Sequence, residues 1–201
     1  SEMCIRDSAL GYGDDNWTEE AVAKIKETFT PDCVPLFVFN GTGSNVVALQ
    51  VMTRPYHSIF CAETAHIYVD ECVSPFKMTG CHIRPIATAD GKLTPELMQP
   101  YLHGFGDQHH SQPRALYLSQ CTELGTIYTP EELKRLTDFA HLNGMYVHMD
   151  GARIANACAA LRLSLKELTV DCGVDILSFG GTKNGLMMGE CVIIFNKDLQ
   201  R

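Results

Sequence analysis

Short apolar runs alternate along the chain with stretches of helical spacing. Leu36-Phe37-Val38-Phe39, Ser58-Ile59-Phe60-Cys61, residues 83–87, Ala115-Leu116-Tyr117-Leu118, Met145-Tyr146-Val147-His148-Met149, Val174-Asp175-Ile176-Leu177-Ser178 and Cys191-Val192-Ile193-Ile194-Phe195 read as strands, each rich in strand formers. Between them, residues 18–29 place Val22, Ile25 and Phe29 on one helical face, with Thr18 as the expected cap. A second helix carries Val46, Val47 and Leu49. A third starts at Thr94-Pro95-Glu96 and runs to about residue 102, with proline at its first position. Thr129-Pro130-Glu131-Glu132 is a capping-box sequence ahead of Leu133, Leu136 and Phe139, and Asn143-Gly144 ends that helix. Strands alternating with helices predict an α/β fold with a mainly parallel sheet covered by helices on both faces. The turn between Gly185 and Gly189 is too short for a parallel crossover, so the last strand is expected to run antiparallel to its neighbour.

What the strands deliver at their carboxyl ends changes the picture from fold to chemistry, because ligands of open α/β sheets bind there. The run 145–149 ends in Asp150-Gly151-Ala152-Arg153, and the run 174–178 is followed by Phe179-Gly180-Gly181-Thr182-Lys183-Asn184-Gly185. An acid and a lysine so placed suit the two ends of one cofactor, the lysine as a Schiff base to an aldehyde and the acid against a protonated ring nitrogen, as in pyridoxal 5'-phosphate. Either motif alone is more often a turn with a solvated charge, so the pairing needs independent support. The strand 36–39 runs into Asn40-Gly41-Thr42-Gly43-Ser44-Asn45 and a helix start, an arrangement that suits an anion such as phosphate and equally suits a plain turn capped by Ser44. It matches neither the P-loop nor the dinucleotide glycine pattern. His66, after the strand 58–61, suits stacking on a ring or proton transfer, although a lone histidine is more often a polar loop residue. Residues 104–113 form a polar loop that includes Asp107, His109 and His110.

Composition narrows the classes. A chain of 201 residues with 45% hydrophobic and 20% charged residues suits one globular domain. The formal charge of -8, with no basic run, argues against a nucleic-acid partner. The nine cysteines are scattered, odd in number and without a C-x-x-C pair, which favours free thiols over disulfides and gives no metal-ligand set. No apolar run approaches the roughly 20 residues of a membrane span, and no signal peptide is visible, so a soluble cytoplasmic protein without a membrane partner is expected. Residues 1–8 are read as a leader outside the fold and residues 9–201 as one cofactor-binding domain of a longer protein.

Four elements taken together, Gly41-Thr42-Gly43-Ser44-Asn45, Ala65-His66-Ile67, His148-Met149-Asp150-Gly151-Ala152-Arg153 and Thr182-Lys183, resemble in order and spacing the threonine aldolase group of the β-eliminating lyases. Tyr12-Gly13-Asp14-Asp15 and Ser119-Gln120-Cys121-Thr122-Glu123-Leu124-Gly125-Thr126 look like the same family, so the resemblance covers roughly residues 9–201. It implies the large domain of the aspartate-aminotransferase-like fold, with the small C-terminal domain missing. It also implies that Lys183 carries pyridoxal phosphate, that Asp150 pairs with the ring nitrogen, and that Thr42 and Gly43, together with Ser44, hold the phosphate. His66 would stack on the ring, and Arg153 would lie near the cofactor's phenolic oxygen or the substrate carboxylate. The implied reaction splits a threonine-like β-hydroxy-α-amino acid into glycine and an aldehyde, with His66, His109 or His110 assisting loss of the hydroxyl proton. The full-length protein is then expected to be a homo-oligomer, dimer or tetramer, acting on a small-molecule amino acid. The alternatives are an aminotransferase or β-eliminating lyase on the same scaffold, or an inactive truncated homologue. Two features of the family have no counterpart in the sequence: a serine-bearing first segment and the C-terminal arginines that hold the substrate carboxylate. The fragment by itself is therefore expected to be inactive and prone to associate through uncovered apolar surface.

Overall fold

The computed structural model describes residues 11–200, so the leader expected over residues 1–8 lies outside the described residues. The main elements are α1 (Asn16–Thr28), β1 (Val34–Val38), α2 (Gly41–Met52), β2 (His57–Ala62), α3 (His66–Val69), α4 (Ser74–Thr79) and β3 (His82–Ile86). They continue with α5 (Pro95–Met98), β4 (Gln112–Ser119), α6 (Pro130–Leu142), β5 (Tyr146–Gly151), α7 (Ile154–Leu161), β6 (Ile176–Gly180) and β7 (Glu190–Ile194). Short 3-10 turns follow α5, β6 and β7.

The strands form one sheet in the order β1-β7-β6-β5-β4-β2-β3. All run the same way except β7, which is antiparallel to both β1 and β6, as the short connection requires. Parallel strands must be covered on both faces, and strand alternation sorts the apolar side chains into two layers. On one face Leu116, Leu118, Val147, Met149, Leu177 and Ile193 pack with Leu133 and Leu136 of α6 and Ile154 of α7. On the other, Ile59, Cys61, Ala115, Tyr117, Ile176 and Val192 pack with Ala48, Leu49 and Met52 of α2. The connection β1–α2–β2 crosses one face while β4–α6–β5–α7–β6 stays on the other. The amino end of α2 lies beside the carboxyl ends of β5 and β6, the edge of an open α/β sheet at which ligands bind.

Local signals account for most boundaries. The capping box at Thr129 is complete: its hydroxyl oxygen accepts the Glu132 N–H, and its own N–H donates to the Glu132 carboxylate. The cap of α1 is Asp15 rather than the expected Thr18: Asp15 Oδ1 accepts the Thr18 N–H at 2.9 Å, and its Oδ2 accepts the Thr18 hydroxyl at 2.7 Å. An aspartate adds negative charge at the positive helix end, which a threonine three residues later does not. The helix expected from Thr94 to about 102 is α5 followed by a 3-10 turn, Gln99–Tyr101, because Pro100 denies an N–H to a continuing α-helix. β1, an outer strand, leaves Leu36 and Phe37 about half exposed.

Close backbone packing brings β6 against the turn after β5. A Cβ on Gly180 would stand 2.6 Å from Ala152 Cα and 2.8 Å from the Ala152 carbonyl oxygen, neither of which can swing aside. Gly180→Ala is expected to destabilise the protein by about 1–3 kcal/mol through overpacking. Urea unfolding of the pair of proteins checks this, and an unchanged midpoint would mean the two strand ends have room to separate.

Candidate active site

Alternation along β5 also decides which polar groups meet. With Val147 and Met149 facing α6, His148 and Asp150 face α2. In register, Asp150 stands between Ser119 and Ser178, and His148 between Tyr117 and Ile176. Asp150, 9% exposed at the carboxyl end of its strand, is held by three donors. Its Oδ1 accepts the Ala152 N–H at 2.9 Å, and its Oδ2 accepts the Tyr117 hydroxyl at 2.7 Å and the Asn45 amide at 3.1 Å. The Tyr117 phenol is pushed well above its usual range by complete burial and then by the nearby Asp150 charge, so it remains a donor.

Beneath Asp150 lies a chain of hydroxyls. Ser44 donates to Ser178 at 2.7 Å, and Ser178 Oγ lies 2.9 Å from His148 Nε2 and can donate to it. Ser44 was expected to cap its helix or hold phosphate; it is instead fully buried in the fourth position of α2, where its hydroxyl is spent on the sheet. Burial lowers the His148 pKa to about 4, with the Asp150 charge opposing, so the ring is neutral.

That neutrality makes stability depend on pH. The unfolded chain takes up a proton at His148 near 6.5 whereas the folded one does so only near 4. Stability present above pH 6.5 is therefore lost as pH falls through this window, on the order of 3 kcal/mol in all. His66 and His141, whose pKa values are raised chiefly by hydrogen bonds to Glu71 and Asp175, act in the opposite sense. The stability they add is fully present below 6.5 and lost as pH rises through their folded values. The gap between wild type and His148→Gln isolates the first effect: in urea unfolding it should narrow by about 2 kcal/mol between pH 7 and pH 4.5. A gap independent of pH would mean His148 is not buried in its neutral form.

Above Asp150 opens a cavity of about 220 Å³. Asn40, Gly41 and Thr42 line one end, at the amino terminus of α2. Asp150, Arg153 and Lys183 line it from the ends of β5 and β6, with His66, Ser119, Glu123 and Glu190 beside them. Unpaired backbone N–H groups and the helix dipole favour an anion at the α2 end. Thr42 lines this end as expected, whereas the N–H of Gly43 is taken by Asn40 Oδ1 at 2.8 Å. Lys183 rides on the 3-10 turn Thr182–Asn184, tied at both ends by Asn184 Nδ2 to the Gly180 carbonyl, 2.7 Å, and by Glu190 Oε2 to the Gly181 N–H, 3.0 Å. Arg153 is the N-cap residue of α7. His66 opens α3; its Nδ1 lies 2.8 Å from Glu71 Oε1, and its backbone N–H donates to Glu123 Oε1 at 2.9 Å.

Family membership is decided by comparison. The family model described as "Beta-eliminating lyase" matches residues 1–201. The chain belongs to the beta-eliminating lyase family. Within it, the chain is 45% identical over 189 residues to a low specificity L-threonine aldolase of Pseudomonas aeruginosa, covering 94% of this chain and 55% of that protein. To the low specificity L-threonine aldolase of Saccharomyces cerevisiae it is 34% identical over 135 residues, covering 66% of this chain and 35% of that one. The solved threonine aldolase of Leishmania major shares the fold with a TM-score of 0.89 at 30% identity, over 99% of this chain and 59% of that one. The chain thus spans little more than half the length of the bacterial relative.

Of the residues that the family resemblance singled out, Thr42, His66, Asp150, Arg153 and Lys183 come together in one cavity. His109 and His110 do not. They sit in the loop before β4, whose carbonyls are gathered by Gln112 Nε2 at 2.8 to 3.1 Å, whereas the cavity lies at the other end of the strand. The strand Gln112–Ser119 separates them from it by roughly 25 Å. Within one chain, His66 is therefore the histidine at the cavity. Sequence reasoning assigned no role to Tyr117, Asn45, His148 or Glu71. Strand parity with Asp150 would have found His148 on the same face. Glu71, in a short irregular stretch after α3, carried no pattern at all. Among the described residues no group of three or more His, Cys, Asp or Glu is placed to hold a metal ion, and no helix is long and apolar enough to cross a membrane.

Proposed function

We propose that the whole protein carrying this chain is a pyridoxal-phosphate-dependent aldehyde-lyase that cleaves threonine-like β-hydroxy-α-amino acids to glycine and an aldehyde. The observation that carries this is the cavity itself: a buried, triply hydrogen-bonded Asp150, Lys183 on a tied turn and a helix amino terminus all face one space. Those are the acid, amine and anion sites the cofactor needs, and the 45% identity to a threonine aldolase favours this reaction on the scaffold.

When bound, the cofactor supplies an electron sink for the pair released as the Cα–Cβ bond breaks. Lys183 would form the Schiff base, and Thr42 with the amino end of α2 would hold the phosphate. Asp150 would keep a proton on the ring nitrogen, because Tyr117, Asn45 and Ala152 fix its carboxylate in place. Arg153, the cation nearest Asp150 in sequence, would bind an anionic oxygen of cofactor or substrate. His66 lies over the same space and would take the β-hydroxyl proton, so that the oxygen can close to an aldehyde. We further propose a homo-oligomer acting in the cytoplasm, on the grounds of family and composition.

With threonine or allo-threonine the purified whole protein should release acetaldehyde and glycine in equal amounts, followed by an alcohol dehydrogenase couple. Conversion of an added keto acid to its amino acid, without aldehyde, would replace this reading with aminotransfer.

A further inference from the structure

Glu71 is a buried carboxylate that the reaction as described leaves unused. Its side chain is inaccessible to solvent, while that of its partner His66 is about one-third exposed toward the cavity. Both of its contacts fall on one oxygen: Oε1 lies 2.8 Å from His66 Nδ1 and accepts the Asn45 amide at 2.7 Å. The same Asn45 nitrogen also reaches Asp150 Oδ2, at 3.1 Å. Glu71 Oε2 has no hydrogen-bond partner. A carboxylate so enclosed is costly unless its charge is used.

We propose, resting on the assignment of His66 as the group that takes the hydroxyl proton, that Glu71 is the positioning residue that fixes and activates His66. An acceptor on Nδ1 holds the imidazole in the tautomer with hydrogen on Nδ1 and presents the Nε2 lone pair to the cavity. When Nε2 takes the β-hydroxyl proton, the O–H electron pair becomes the second bond of the aldehyde carbonyl. The imidazolium that results is stabilised across Nδ1 by Glu71, and the same proton is available for return to the carbon that becomes Cα of glycine. Asn45, whose one amide nitrogen donates to both carboxylates, ties Glu71 to Asp150 and so fixes the position of each.

Electrostatics agrees with the geometry. The groups facing His66 are Glu71 after α3, Asp150 from β5, Lys183 after β6 and Glu123 after β4, with Arg153 and Glu190 on the cavity wall. The His66 pKa is raised, first by the hydrogen bond to Glu71 against the cost of burial, then by the Glu71 and Asp150 charges, with Lys183 opposing.

The test is a histidine titration of the whole protein without cofactor, with the His66 signal assigned by its loss in His66→Gln, compared between wild type and Glu71→Gln. The His66 midpoint should fall by about one pH unit or more in Glu71→Gln, the usual effect of removing an adjacent opposite charge. With cofactor, borohydride should still label Lys183 in this variant. Aldehyde release should slow by about tenfold or more, and the acid limb of its pH profile should move to lower pH, since a weaker base loses its proton earlier. If Glu71→Gln does not fold, Glu71→Asp gives the same reading, with a smaller fall in the midpoint. An unmoved His66 midpoint in the variant measured overturns the proposal. Absence of label or of aldehyde in the wild type would instead overturn the parent assignment and leave the titration result standing on its own.

Discussion

Asp150→Asn is expected to lower kcat/KM of the whole protein for threonine by about 10²-fold or more while leaving the fold intact. A carboxylate beside a protonated ring nitrogen raises that group's pKa by about 1–3 units, and an amide does not. At 1.4 kcal/mol per tenfold, the loss corresponds to about 3 kcal/mol of transition-state stabilisation. The fold can absorb the change. The asparagine oxygen can keep the Ala152 N–H and its amide can donate to the Tyr117 hydroxyl, turned to accept, while the Asn45 amide keeps its bond to Glu71. Steady-state kinetics together with a thermal melt separate the two effects. Near-normal turnover at unchanged stability would mean that Asp150 holds the strand ends and nothing more.

The same carboxylate shows how far the sequence reaches. Asp150, Lys183, His66 and Thr42 were legible because each follows an apolar run, and strand ends are where an α/β sheet puts ligands. The alternation of β4, β5 and β6, and the short return to β7, were legible for the same reason: apolar period and connection length are local properties. The strand order was not. The placement of β1 beside β7, and of α2 across the opposite face from α6, depends on how distant segments bury each other, and that brought Asn45 and Ser44 under Asp150.

The histidines divide along this line too. His66 stands at a carboxyl strand end, and His109 and His110 at an amino end; both kinds of loop look alike as polar stretches, and only strand direction separates them. Glu71 was silent because its burial comes from tertiary packing around His66 and Asn45, not from any periodicity. Thr18 was mistaken for a cap because both it and Asp15 can cap, and geometry made Thr18 the residue that donates to the cap.

The most direct test of the central claim, that the cavity at the ends of β5 and β6 holds pyridoxal phosphate on Lys183, is reduction of the cofactor-loaded whole protein with borohydride followed by peptide mapping. A single reduced adduct on Lys183 is the expected result, with the visible band lost on reduction and no adduct in Lys183→Ala, which should also release no measurable aldehyde. An adduct on another lysine, or a cofactor band and turnover that survive in Lys183→Ala, would contradict the claim.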